Sequence, residues 1–293
     1  MRSQKRFMAA LSGIAVFGVI VPVWLALALI PPDVHRMTSV RTVAETIDLF
    51  KNEGFDPQQA LRQDTDVIPA VFVANLPRDL KGVSDADLRK AVFVSIVLPH
   101  VLRADARILA DRKRLVRLIG RKGKGSSLSR RDRLWLARLA DRYGAKPGDT
   151  TTLLHRVDIV PPRLAVAQAA QESGWGTSRF AHAANALFGQ RTDPGTDSVS
   201  AHKAEGVVLH AFDSLYDSVR SYIHNLNTHA AYRSFRAMRA AMRQRGERLD
   251  GRALATALVS YSEQGAAYVD QLHKLMQMPE VAASRNIRLA TVN

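Results

Sequence analysis

The residues best placed to do chemistry lie in one run, Pro161-Pro162-Arg163-Leu164-Ala165-Val166-Ala167-Gln168-Ala169-Ala170-Gln171-Glu172-Ser173-Gly174-Trp175-Gly176. Its single carboxylate, Glu172, stands where a helical pattern gives way to glycines. A carboxylate there faces the negative end of the helix dipole, so helix stability does not account for it. The residues before it are mostly alanine, valine, leucine and glutamine, the composition of a helix packed on most sides. Burial of that kind disfavours the charged form and raises a carboxyl pKa, which suits a general acid. The competing reading is a surface Glu that happens to end a helix, since charged side chains are mostly exposed.

The element that must position Glu172 is therefore a helix with a sharp start and a sharp stop. Proline is tolerated in a first turn, where no backbone donor is needed, and Gly174 and Gly176 permit the left-handed backbone that ends a helix. Gln168 precedes Glu172 by one turn, so the two share a face and could exchange a hydrogen bond. Gln168 could equally be a structural capping amide.

The stretch from Gln168 through Gln171-Glu172-Ser173-Gly174-Trp175-Gly176-Thr177-Ser178, followed by Asn185-Ala186-Leu187-Phe188-Gly189-Gln190, resembles the active-site signature of the bacterial glucosaminidase domain, and most closely its Bax-type branch. Tyr261-Ser262-Glu263-Gln264, followed by Tyr268, resembles the family's terminal tyrosine motif, departing at Ser262 and Glu263 from the Tyr-Ala-Thr-Asp of many relatives. The resemblance implies a mainly α, lysozyme-like helical domain with a small β-hairpin lobe, acting on the N-acetylglucosaminyl bond of peptidoglycan. It implies Glu172 as the catalytic acid, Tyr261 beside it, and Gln168, Ser173, Asn185 and Gln190 among the residues meeting substrate.

Cleaving a glycosidic bond requires a proton for the departing oxygen and support for an oxocarbenium-like centre, commonly from two carboxylates. In the resembling fold Glu205 would lie on the hairpin facing the cleft and is the first candidate for the second group, with Asp193 and Asp197 behind it. The substrate's own acetamido group is another route and needs no second acid. Aromatic rings offer flat faces to sugars, so Trp175, Phe188, Tyr261 and Tyr268 are candidate subsite residues, although Phe188 and Tyr268 can equally be core. His182, His202, His210 and Asp213 match no compact ligand spacing, so neither metal nor cofactor is expected.

The rest of the chain bounds where this chemistry takes place. Across 293 residues the formal net charge is +15, which implies an anionic partner, and 46% hydrophobic composition supports a folded core. There is no cysteine, hence no disulfide and no thiolate site. Arg2, Lys5 and Arg6 precede an uncharged run from Phe7 to Ile30, long enough for a single transmembrane helix that places the remainder outside the bacterial inner membrane, facing the periplasm. Ala26-Leu27-Ala28 keeps open the alternative of a cleaved signal and a secreted chain. The expected partners are thus peptidoglycan glycan strands and, through residues 1–37, the membrane; an exported chain makes nucleic acid a poor candidate.

The periodicity places an amphipathic helix at Val40–Phe50 near that membrane, a short extended segment at Asp66–Val73, and a helix from Ser84-Asp85-Ala86-Asp87 that Pro99 should kink. Arg121-Lys122-Gly123-Lys124-Gly125-Ser126-Ser127 lacks a preceding strand and the spacing of a phosphate-binding loop, so it reads as a solvated basic turn. Ser129 then caps a helix whose Trp135 reads as core. Residues 38–149 are expected as a helical region packing on a catalytic domain at 150–293. Within the latter, a hairpin falls between Gln190 and Phe212, helices start near Ser214, Asp250 and Gly265, and the tail from Pro279 carries no pattern. Two other functions share these features: a lytic transglycosylase, though its usual Gly-Leu-Met-Gln element is replaced by Asn185-Ala186-Leu187-Phe188-Gly189, and a non-catalytic wall-binding or scaffold protein.

Overall fold

Leu164 through Ala170 are buried on all sides, none more than 1% exposed, so the helix carrying Glu172 has no solvent face over two turns. A helix without strong amphipathic character is placed inside the fold rather than on it. Small alanines let its neighbours approach closely. In this computed structural model the described residues are 37–291 apart from 64, 124, 126, 190–200, 205 and 206, with backbone alone for 201–204 and 207–210.

In chain order the elements are β1 (Met37–Thr38), α1 (Val43–Asn52), α2 (Pro57–Ala60), β2 (Val67–Ile68), β3 (Phe72–Val73), α3 (Ala86–Gly123), α4 (Arg130–Arg142), α5 (Thr150–Arg156), α6 (Pro162–Ser173) and α7 (Arg179–Ala184). They continue with β4 (Ala201–Ala204), β5 (Val207–His210), α8 (Leu215–Thr228), α9 (Arg233–Gln244), α10 (Gly251–Ala255), α11 (Ala266–Leu275), α12 (Pro279–Ala282) and β6 (Arg288–Leu289). The mainly helical class with one antiparallel hairpin, β4 against β5, agrees with the expectation. Met37–Asn293 is a single compact unit, with α3, α6, α8 and α11 contributing to one apolar core.

Several details depart from the sequence reading. The amphipathic helix expected over Val40–Phe50 is α1, which starts at a Thr42–Glu45 capping box and buries Val43 and Phe50 in the common core. Helix α3 continues on both sides of Pro99, the expected kink position, and Pro99 is itself buried. Trp135 is half-buried, with the Arg114 guanidinium 4.4 Å from its ring centroid. The tail is ordered by pairing: β6 lies parallel to β2, Val67 opposite Arg288, as β1 lies parallel to β3. The expected membrane helix over Phe7–Ile30 lies outside the described residues; among those described, no helix is long and apolar enough to cross a membrane.

What sets the direction of α6 is a polar knot at its start. Asp158 accepts from Arg243 Nε and Nη2 at 3.0 and 2.9 Å, with Arg112 at 3.5 Å. Arg239, 1% exposed, donates to the carbonyls of His155, Asp158 and Ile159 and to Asn227 Oδ1. Burial pushes the Asp158 carboxyl up, but the Arg243 hydrogen bonds and the Arg239 and Arg112 charges outweigh it, leaving it below the usual range. These bonds satisfy a buried turn that would otherwise hold orphan carbonyls.

Candidate active site

Helix α6 ends as its sequence requires. Gly174 takes φ 58° and Trp175 follows at φ 59°, two consecutive left-handed residues that turn the chain sharply away. Ser173 locks this exit: its hydroxyl donates to Ala169 O at 2.6 Å and accepts from Gly176 N at 2.9 Å. Gly176 is pressed against the core, where a Cβ would lie 2.9 Å from both Leu80 and Phe93 side chains, so no larger residue fits. Glu172 is left half-buried on the last turn.

Its surroundings are aromatic and amide rather than charged. Tyr268 donates its hydroxyl proton to Glu172 Oε1 at 2.8 Å. The same hydroxyl accepts from Gln168 Nε2 at 2.9 Å, and Gln168 Oε1 accepts from Tyr222 at 2.6 Å. The chain therefore has one polarity, Tyr222 to Gln168 to Tyr268 to Glu172. Because Oε1 is occupied as an acceptor, the proton of the neutral carboxyl belongs on Oε2. That oxygen lies against Gly189, 3.3 Å from where a Cβ would stand, and Gly189 itself has φ 59°.

Burial raises the Glu172 pKa above 4.5, and the Tyr268 hydrogen bond, which favours the ionised form, opposes it without reversing it. Tyr222, Tyr232, Tyr261 and Tyr268 are each pushed up, first by burial and further by the negative charge of Glu172 among other neighbours. Four phenols thus surround one carboxyl and remain proton donors. Tyr261 stacks on Tyr268 with ring centroids 5.5 Å apart and planes at 9°, and Tyr232 packs on Tyr261 at 5.8 Å. The arrangement can hold a proton on a carboxyl at pH values where an exposed Glu has lost it, and can deliver it towards Gly189.

Measured against the expectations, Glu172 and Gln168 come together, but through Tyr268 rather than by a direct bond. The two tyrosines exchange parts: Tyr268, 1% exposed, is the one on Glu172, whereas partly buried Tyr261 donates to Phe188 O at 3.2 Å. Phe188, 2% exposed, stacks face to face on Tyr222 at 3.9 Å and offers no face to a sugar. Ser173 and Asn185 are committed to the backbone, Asn185 taking φ 51° and donating to Phe212 O at 3.0 Å. Trp175 packs edge-on against Phe93 at 6.0 Å with Lys90 over its ring. Gln190, Asp193, Asp197 and Glu205 lie outside the described residues, as do the side chains of His202 and His210. Among the described residues no group of three metal-ligating side chains occurs.

Sequence reasoning missed Tyr222, Tyr232 and Gly189. Tyr222 falls on the apolar stripe Leu215, Val219, Tyr222, Leu226, where a tyrosine is indistinguishable from packing. Only the buried amide opposite it gives its hydroxyl a purpose.

A sequence profile of the glucosaminidase family, described as mannosyl-glycoprotein endo-beta-N-acetylglucosaminidase, matches residues 150–280, a span that includes Glu172, Tyr261 and Tyr268. Protein bax of Escherichia coli (strain K12) is 35% identical over 210 residues, covering 70% of this chain and 74% of that protein. Among solved structures, the catalytic domain of the autolysin Auto from Listeria monocytogenes is similar at TM-score 0.33 and 16% identity, covering 54% of this chain and 90% of that one.

Proposed function

The chain belongs to the glucosaminidase family, and from that premise we propose that it hydrolyses peptidoglycan at the N-acetylglucosaminyl bond with Glu172 as general acid. The observation that carries this reading is the divided carboxyl of Glu172, with Oε1 held by Tyr268 and Oε2 facing Gly189 in an environment that raises its pKa. The proton passes from Oε2 to the glycosidic oxygen as the bond to the anomeric carbon breaks. The carboxylate left behind accepts a stronger hydrogen bond from Tyr268 than the neutral acid did, so the charge that develops meets a preset donor. In this reading partly buried Tyr261 supplies the edge of a sugar subsite. In this proposal Glu205, or the substrate's acetamido oxygen, supports the oxocarbenium-like centre.

Digestion of purified sacculi with the full chain, followed by mass spectrometry of the products, tests the reaction. Reducing N-acetylglucosamine ends support it. Anhydro ends replace it with a lytic transglycosylase, and co-sedimentation without release replaces it with a wall-binding scaffold. The proposed site of action is the periplasmic face of the inner membrane, reached through the apolar run Phe7–Ile30; a carboxy-terminal phosphatase fusion that is inactive in cells would exclude it.

A further inference from the structure

The chain's positive charge is concentrated in one place. Residues 107–142, the second half of α3, the following turn and α4, contain thirteen Lys or Arg against three Asp, a net of +10 out of the chain's +15. The first half of α3 is embedded, with Ala91 through Val101 buried without interruption, but in the second half only Leu115 and Leu118 are buried. That half, α4 and α5 close on a small apolar cluster of their own, made of Leu115, Leu139, Ala140, Tyr143, Leu153 and Val157. The hairpin therefore satisfies its inner face without the main core and leaves the outer one to water.

The outer face is not uniformly polar. Of the four large hydrophobic side chains that stand exposed among the described residues, three are here: Leu109 at 41%, Val116 at 51% and Leu134 at 52%. On α3, Leu109, Lys113 and Val116 follow steps of four and three, and on α4 Arg131, Leu134 and Arg138 follow steps of three and four, so cations and aliphatics share each stripe. Lys113, Arg117, Lys122 and Arg138 are all exposed, and no carboxylate lies within ion-pair distance of them among the described residues. Solubility explains exposed arginine and lysine, but it does not explain the three aliphatics set among them.

We propose that this hairpin is a docking surface for an anionic lipid bilayer, its cations meeting headgroup phosphates while Leu109, Val116 and Leu134 enter the acyl boundary. A basic face with interleaved aliphatics is what partition into a lipid interface requires. Polyanions fit less well: nucleic acid and wall polymer offer no apolar phase for exposed leucine and valine, and single strands are held by aromatic platforms. The one aromatic ring on the hairpin's helices, Trp135, is half-buried and covered by Arg114. The inference rests neither on residues 1–36 nor on the reading of Glu172.

The chain has no cysteine, so single Val116→Cys, Leu134→Cys and, as a control elsewhere, Val259→Cys variants of the full chain accept one environment-sensitive fluorophore each. With vesicles of equal parts phosphatidylglycerol and phosphatidylcholine, the labels at 116 and 134 should shift to the blue and be quenched by lipid-borne nitroxides, while the label at 259 should do neither. Phosphatidylcholine vesicles should produce no shift at 116 or 134, and added salt should reverse it as screening grows. Substituting Lys113, Arg117 and Arg138 together by Gln should lower the partition read at 116 by roughly two orders of magnitude, about fivefold per cation, with the unfolding temperature unchanged. Equal response to neutral vesicles, no response to anionic ones, or partition unaltered by the three substitutions would overturn the proposal. So would a response to duplex DNA or to isolated sacculi in place of vesicles.

Discussion

Tyr268 donates its only proton to Glu172 Oε1 across 2.8 Å, and it is held to that direction because Gln168 fills its acceptor side at 2.9 Å. A hydroxyl free to rotate could accept from a protonated Glu172 as readily as donate to it. Here the Gln168 amide donates to that hydroxyl, and its Oε1 accepts from the Tyr222 hydroxyl at 2.6 Å, so both ends of the amide are satisfied. Through Tyr268, the carboxyl of Glu172 is thereby linked to Gln168 and Tyr222.

Replacing Glu172 with Gln should reduce release of reducing ends from sacculi by at least about a hundredfold, the usual range for loss of a general acid. The fold should not suffer. A raised carboxyl pKa means that the protonated form is favoured in the folded chain, so its contribution to stability is fully present below about 4.5 and is lost as pH rises through the raised folded value. The neutral Gln avoids that loss, and thermal unfolding at neutral pH should show the variant at least as stable as the parent.

The pH dependence of kcat should report the same group. In the proposed mechanism activity requires protonated Glu172, so the alkaline limb follows its raised pKa. Tyr268→Phe deletes the hydrogen bond that favours the ionised form and should move that limb to higher pH, while lowering the plateau because the developing carboxylate loses its donor. The orphaned Gln168 amide should also cost about 1–3 kcal/mol of stability in urea unfolding. A limb that stays in place would separate Tyr268 from the titration of Glu172.

Gly189→Ala probes Oε2. The new methyl would stand 3.3 Å from that oxygen, on a backbone with φ 59° that costs an L-residue about 1–2 kcal/mol. Activity should fall at least tenfold, with a stability loss of that order by calorimetry.

Asp158→Ala tests the knot that starts α6. Removing the carboxylate leaves Arg112, Arg239 and Arg243 facing one another without their common counter-charge, and the expected loss is about 3–5 kcal/mol in chemical denaturation. Because the Asp158 pKa is held down, its contribution is present above about 3.8, the value of an unperturbed carboxyl, and disappears as pH falls through the folded value. The difference between parent and variant should therefore narrow in acid.

Local chemistry made much of this molecule readable before any fold was known. Prolines at the start of α6, glycines at its end and an apolar run between them specify a buried helix stopping at Glu172, because each residue acts on its own φ, its own donor or its own transfer free energy. Ser129, Asp149, Ser214 and Asp250 announce helix starts for the same reason, and each caps its helix through a hydrogen bond a few residues long. The resemblance implied the mainly helical class, and periodicity, a property of neighbours in the chain, placed individual helices within it.

The site itself is built from partners that are distant in sequence. Gln168 meets Tyr268 across 100 positions and Tyr222 across 54, and no spacing rule reaches that far. Tyr261 and Tyr268 look alike in sequence, and only packing decides that the second reaches Glu172 while the first lies at the edge. Phe188 reads equally well as a sugar platform or as core until Tyr222 is found stacked on its face. The tail strand β6 carries no pattern because its order comes from the edge of β2, more than 200 residues earlier. Sequence determined which helix would carry the carboxyl and where it would end. Tertiary structure decided which oxygen of that carboxyl takes the Tyr268 hydrogen bond and which lies against Gly189, because only the fold brings those partners to it.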